Sequence, residues 1–205
     1  TGALTSLDEQ SDSLNEEYRQ SLIVTAREEA DRLNRLVGNL LSMTRIESGA
    51  LKLHLEPGDI QDVVGTALEQ LGKRIANHKV QVDVPADFPL VPMDFTLIVQ
   101  VLVNVLENAV KYSPKDSLIE VAADLLDKKA RLQIADHGVG IPSEDLSRIF
   151  DKFYRVQRPK SVSGTGLGLS ISKGIIEIHH GQIYARARDG GGTIITIELP
   201  LRGKE

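Results

Sequence analysis

The chain has 205 residues, with 24 basic and 29 acidic side chains, a net charge of -5 and no cysteine. That length suits one large domain, or one domain with a helical extension, and the acidic balance leaves no general polyanion-binding surface, so no nucleic-acid partner is expected although a local basic pocket remains compatible. The missing cysteines exclude disulfides and thiolate-held metals, no apolar run approaches the roughly 20 residues of a membrane span, and no leader-like pattern opens the chain.

Residues 14–47 contain no proline and a single glycine, Gly38, while Leu22, Ala26, Ala30, Leu33, Leu36 or Val37, Leu40 and Leu41 recur at spacings of three and four. This pattern predicts one long helix with an apolar stripe, its other face filled by charges such as Glu16, Arg27, Glu28, Asp31 and Arg35. A lone helix cannot bury its own stripe, and the polar residues 1–12 are too poor to cover it. The stripe is therefore expected to meet a partner helix outside this sequence, or a second copy of the chain.

The texture changes at Ser48 and Gly49, which places a domain boundary between residues 1–48 and 49–205. Leu51, Leu53 and Leu55 alternate with Lys52, His54 and Glu56, a strand pattern that ends at Pro57 and Gly58. Asp59 reads as the cap of a helix over residues 60–77, residues 79–85 alternate as a strand, and Asp94 precedes a strongly apolar helix reaching Tyr112. Strands follow at 118–125 and 130–136, then a loop-rich stretch up to Gly168, a helix, and a terminal strand pair at 182–188 and 193–199 turning at residues 189–192. The order predicts an α+β fold: a two-layer sandwich with helices on one face of a mixed sheet, preceded by one long helix.

Several residues point to chemistry. Asn104 and Asn108 stand one helical turn apart, so their amides share a face beside a run of valines and leucines; they either cap neighbouring backbone or hold a ligand or hydrated cation. Lys111 can bring a charge to the same edge, suited to phosphate or simply to the helix C-terminus, and Tyr112 offers a ring for stacking or packing. Asp136, followed by Gly138 and Gly140, can accept from the exocyclic amine of a flat ligand lying on bare backbone, or can start a tight turn. Gly164, Gly166 and Gly168 sit at every second place before an apolar helix, where exposed N–H groups and the helix dipole favour an anion, or where a flexible loop simply closes.

Taken together and in order, residues 104–113, 136–141, 149–155 and 164–169 resemble the N, G1, F and G2 boxes of the sensor histidine kinase ATP-binding domain. The resemblance covers about residues 51–199, and the preceding helix is similar to the second helix of that family's dimerisation and histidine-phosphotransfer hairpin. More loosely, residues 38–57 and 101–113 resemble the potassium-responsive members of the family. The resemblance implies a Bergerat-type sandwich that binds ATP with Mg²⁺. It gives Asn108 the role of metal ligand, with Asn104 at the ion or its water, and it sets Lys111 on phosphate and Tyr112 in the base pocket. Asp136 would accept from the adenine amino group, with Gly138, Gly140 and Ile141 beside the ring. Gly164, Thr165, Gly166, Leu167, Gly168 and Leu169 would form the phosphate edge, and residues 142–163 a lid carrying Phe150, Phe153 and Arg155, whose aromatics serve either the nucleotide or the packing of the lid.

Two departures stand out. His137 occupies a place where the family often has asparagine, and no histidine lies in a phosphoacceptor setting: His54, His78, His137, His179 and His180 all fall in the ATP-binding region. The chain is therefore expected to bind ATP without phosphorylating itself. In the parent kinase the resemblance implies a homodimer, a response regulator as partner, and a cytoplasmic catalytic part of a membrane-anchored protein. ATP-driven clamps such as gyrase and MutL carry a glutamate one turn before the metal-binding asparagine; here that place is Asn104, which cannot take a proton from water. A non-catalytic nucleotide-binding signalling module is the other alternative.

Overall fold

The computed structural model describes residues 16–156 and 165–201. The chain divides into two compact units, 1–44 and 45–205. The first is the long helix α1, Glu16–Glu47, whose last turn runs into the second unit. Its stripe is solvated: Leu33 is 60% exposed, and Ile23, Val24, Val37, Leu40 and Leu41 are exposed as well.

The second unit opens with a difference from expectation. Residues 51–55 form no strand; the strand is the short β1, Glu56–Gly58, paired antiparallel with β3, Val91–Met93. An alternating segment becomes a strand only where another backbone runs beside it, and the ladder here spans three pairs, Glu56 with Met93 to Gly58 with Val91. Helix α2, Ile60–Leu71, starts where Asp59 Oδ1 accepts from the N–H of Gln61 at 2.7 Å. It stops short of the expected residue 77 because Gly72 takes φ +48°, and a 3₁₀ turn, Gly72–Arg74, follows.

Helix α3, Phe95–Tyr112, is capped by Asp94, whose Oδ1 accepts from Leu97 N–H at 3.2 Å. The same residue ties three segments together. Its Oδ2 accepts from His54 N–H at 3.2 Å, and its own N–H donates to His179 Nε2 at 3.0 Å. The other ring nitrogen, His179 Nδ1, donates to the Ile175 carbonyl at 2.7 Å, which fixes the proton on Nδ1.

Five strands form one sheet in the order β2-β4-β5-β7-β6, with β2 (Lys79–Asp83) parallel to β4 (Leu118–Leu126). The others, β5 (Lys129–Ala135), β7 (Thr193–Pro200) and β6 (Gln182–Ala187), pair antiparallel. Register stacks apolar rows across the sheet: Val121 with Ile134 and Ile195, and Ala123 with Leu132 and Ile197. These rows meet a helical layer in which α3 packs on β5, between α2 and α4 (Gly168–Ile178). Each buried leucine or isoleucine there contributes about 1.5–3 kcal/mol. The opposite face is a polar lattice in which Arg131 pairs with Asp124, Lys129 with Glu198 and Arg188 with Glu120. The expected two-layer α+β sandwich is therefore the observed fold.

By length and hydropathy alone α3 could cross a membrane. It is instead the central helix of this layer, with Ile98, Val101, Leu102, Val105 and Leu106 buried.

Candidate functional site

The site grows from the end of β5. Asp136 is 9% exposed, and its backbone N–H donates to the Thr193 carbonyl at 2.9 Å. Its Oδ1 accepts from Gly138 N–H at 2.8 Å and from Thr193 N–H at 3.3 Å, while Oδ2 takes no hydrogen bond from the described residues. Burial pushes its carboxyl above the usual aspartate range, and the two backbone donors pull the other way. One oxygen is thus spent on holding the side chain still and the other is left to accept.

The backbone around this carboxylate is bare by necessity. A Cβ on Gly138 would lie 2.5 Å from the Tyr112 carbonyl oxygen, and one on Gly192 would lie 2.0 Å from the carbonyl oxygen of Asp136. Gly192 also holds φ +102°, which only glycine adopts at ease. Gly192 and Thr193 were missed as site residues, because residues 189–192 read as a turn and nothing more. The available signal was the run Gly190, Gly191 and Gly192, longer than a two-residue hairpin turn requires.

Helix α3 supplies the second wall. Asn104 Nδ2 donates to the Gly168 carbonyl at 3.3 Å and to Ser172 Oγ at 3.4 Å, so this amide bridges to α4. Asn108, one turn later and half-buried, takes no hydrogen bond through its side chain among the described residues. Lys111 Nζ sits 4.9 Å from the Tyr112 ring centroid, and the Tyr112 carbonyl lies against Gly138. Glu107 does not join the amides; it pairs with Arg74 of the 3₁₀ turn.

The third wall is the entry to α4. Among the described residues no side chain caps its N-terminus, and a helix start of that kind suits an anion. Thr165 Oγ1 accepts from Leu167 N–H at 3.3 Å, Leu167 is buried, and Leu169 is half-buried. Gly166, at φ +72°, accepts through its carbonyl from Phe153 N–H at 3.0 Å, and a Cβ there would lie 2.7 Å from the Phe153 carbonyl carbon. Gly164 and residues 157–163 of the expected lid lie outside the described residues.

The described part of the lid divides by role. Phe150 is buried in a 3₁₀ turn, Arg148–Phe150, that packs on α4, so it anchors the lid. Phe153 is 65% exposed at φ +59°, Arg155 is exposed, and Ile141 is half-buried. Tyr154 donates to the Asp145 carboxylate, and the Arg148 guanidinium lies 4.4 Å from the Tyr154 ring centroid.

Helix α3 thus touches both the glycine floor beside Asp136, through the Tyr112 carbonyl, and the start of α4, through Asn104. Residues 93–203 match the family described as histidine kinase-, DNA gyrase B- and HSP90-like ATPases. The chain belongs to that family. Within it the chain is the ATPase-type catalytic domain of a sensor histidine kinase. It is 39% identical over 201 residues to the sensor protein KdpD of Clostridium acetobutylicum, covering 97% of this chain and 22% of that protein. The KdpD sensor of Escherichia coli is 37% identical over 184 residues, covering 90% of this chain and 20% of that protein. The chain thus spans about a fifth of the length of these curated relatives. Among solved structures, the Acinetobacter baumannii histidine kinase AdeS superposes with TM-score 0.78 at 26% identity, covering 98% of this chain and 93% of that one. Full-length ShkA in complex with AMPPNP superposes with TM-score 0.77 at 26% identity, covering 95% of this chain and 41% of that one.

Proposed function

We propose that this chain binds Mg²⁺ and ATP and is the part of a sensor histidine kinase that delivers the γ-phosphoryl group to a histidine on another segment of the parent protein. The observation that carries the reading is the divided carboxylate of Asp136: Oδ1 is immobilised by two backbone donors while Oδ2 takes no hydrogen bond from the described residues. An exocyclic amine on a flat base is the complement of that oxygen. Gly138, Gly140 and Ile141 let the ring approach, and Tyr112 lines its other side.

The donor set fits Mg²⁺. Among the described residues the half-buried Asn108 amide has no hydrogen-bond partner and Asn104 Oδ1 accepts no hydrogen bond, so neutral oxygens are available to an ion that retains several waters. When bound, with Asn108 as its ligand and Asn104 at the ion or its water, Mg²⁺ would supply positive charge that offsets that of the phosphates. Lys111 adds a cation to the same edge, and backbone N–H groups at the start of α4, among them those of Gly168 and Leu169, donate to phosphate oxygens. Phe153 and Arg155 line the lid side of the cleft, with Phe150 as its anchor. ShkA, a structural neighbour, was solved with AMPPNP, which supports the nucleotide reading.

Transfer is favoured over hydrolysis because the amide face carries no base: position 104 is an asparagine, and Glu107 is engaged with Arg74. None of the five histidines lies in the sequence setting of a phosphoacceptor, and two of them are engaged within the fold. His179 is buried between Ile175 and Asp94, and His137 Nδ1 is held by the Leu118 carbonyl at 2.8 Å. The chain alone is therefore not expected to phosphorylate itself. The exposed stripe of α1 is the face for a partner helix or a second copy, a response regulator is the final receiver, and the parent is membrane-anchored with this part in the cytoplasm.

The test is a calorimetric titration of AMPPNP, with Mg²⁺ and with EDTA, into the chain and its Asp136→Asn variant. Binding by the wild type that weakens at least about tenfold in the variant is expected, since the variant turns an acceptor into a donor. Wild-type protein that takes up no nucleotide would overturn the reading.

A further inference from the structure

Ser172 has no part in the roles assigned above, yet it is fully buried and sits where two walls of the site meet. Its Oγ donates to the Gly168 carbonyl at 3.0 Å and accepts from Asn104 Nδ2 at 3.4 Å, and Nδ2 itself donates to the same carbonyl at 3.3 Å. A carbonyl only accepts, so the nitrogen end of the Asn104 amide must face Gly168. The oxygen end is thereby turned away from both partners. It lies 3.8 Å from where a Cβ on Gly168 would stand, at the opening of α4, and takes no hydrogen bond from the described residues.

We propose that Ser172 is a positioning residue for the metal: by holding Asn104 through its nitrogen, it aims Oδ1 at the Mg²⁺ ion or its water shell. This rests on the Mg²⁺–ATP reading above. A serine hydroxyl bonded to the carbonyl four residues earlier is a common helical habit that needs no function. What separates Ser172 from that habit is the second bond, across to another helix and to one of the two amides offered to the ion, whose orientation decides which of its atoms faces it. Without the hydroxyl, Nδ2 keeps a single acceptor, and the carboxamide can rotate about its last torsion.

The test compares wild type, Ser172→Ala, Asn104→Ala and the double variant. AMPPNP affinity is measured with Mg²⁺ and with EDTA, and the electron paramagnetic resonance spectrum of Mn²⁺ in the nucleotide complex reports the ion's surroundings. Ser172→Ala is expected to keep its affinity in EDTA, to lose about tenfold of the gain that Mg²⁺ brings, and to broaden the Mn²⁺ spectrum, the usual scale for a residue behind a metal ligand. The double variant is expected to be no weaker than Asn104→Ala, because Ser172 acts through that amide. A Mg²⁺ gain in Ser172→Ala within twofold of wild type would overturn the proposal while leaving the nucleotide reading intact. A wild type that gains nothing from Mg²⁺ would overturn both. Should the alanine variant lose its fold, Ser172→Cys keeps the volume with a much weaker hydrogen-bonding group, and an unchanged Mg²⁺ gain in it would again overturn the proposal.

Discussion

The imidazole of His179 accepts a hydrogen bond from the backbone N–H of Asp94 at 3.0 Å, joining the end of α4 to the start of α3. Only the neutral ring can do this while Nδ1 donates to Ile175. Burial holds the His179 pKa below its ordinary 6.5, with the Ile175 carbonyl and Asp94 opposing and His180 adding to the shift. The unfolded chain therefore binds the proton first, and stability is lost as pH falls from about 6.5 through the folded value. Thermal melts between pH 7.5 and 5 are expected to show a steeper decline for wild type than for His179→Gln. Parallel slopes would refute the assignment.

Asp136→Asn separates binding from folding. Asparagine still accepts from Gly138 and Thr193, and it removes a carboxylate whose pKa burial raises. Because that folded pKa is raised, the charged form is disfavoured by the fold, and Asp136 adds least to stability at pH values above it. At pH 7 the melting temperature is expected to stay within about 2 °C of wild type or to rise, while nucleotide binding is lost. Differential scanning calorimetry checks the first half.

Two adjacent glycines should respond differently. Gly191 holds φ +103° in open space, so alanine there meets only backbone strain, about 1–2 kcal/mol. Gly192→Ala adds a collision with the Asp136 carbonyl and is expected to cost about 2 kcal/mol more. Urea denaturation of both variants measures the gap.

Gly65 lies inside α2, exposed, with nothing within 4 Å of a built Cβ. Gly65→Ala is expected to stabilise the chain by about 0.5–1 kcal/mol, through the lower entropy of the unfolded state. The same denaturation assay reads it.

Much of this was legible in the residues because it is local. Asp59 and Asp94 announce helices through caps two or three residues long, and β4 and β5 announce themselves by alternation. The spacing of Asn104 and Asn108 puts them on one face without knowledge of anything else. What escaped depends on distant chain. Leu51 to Leu55 alternate as well as any strand but pair with no strand among the described residues, and β3 is too short, with Pro92 inside it, to stand out. Gly72 as a helix stop required knowing its φ. Thr193 and His179 matter only through partners 57 and 85 residues away.

Asp136 borrows one of its two donors, and the glycine that closes its floor, from residues 192 and 193. On the ribosome, β5 emerges well before these arrive. Until β7 is threaded between β5 and β6, the carboxylate is incompletely held and the floor is missing. On the proposed nucleotide reading, competence at this site waits for β7, and a chain halted before residue 192 is expected to bind no nucleotide there.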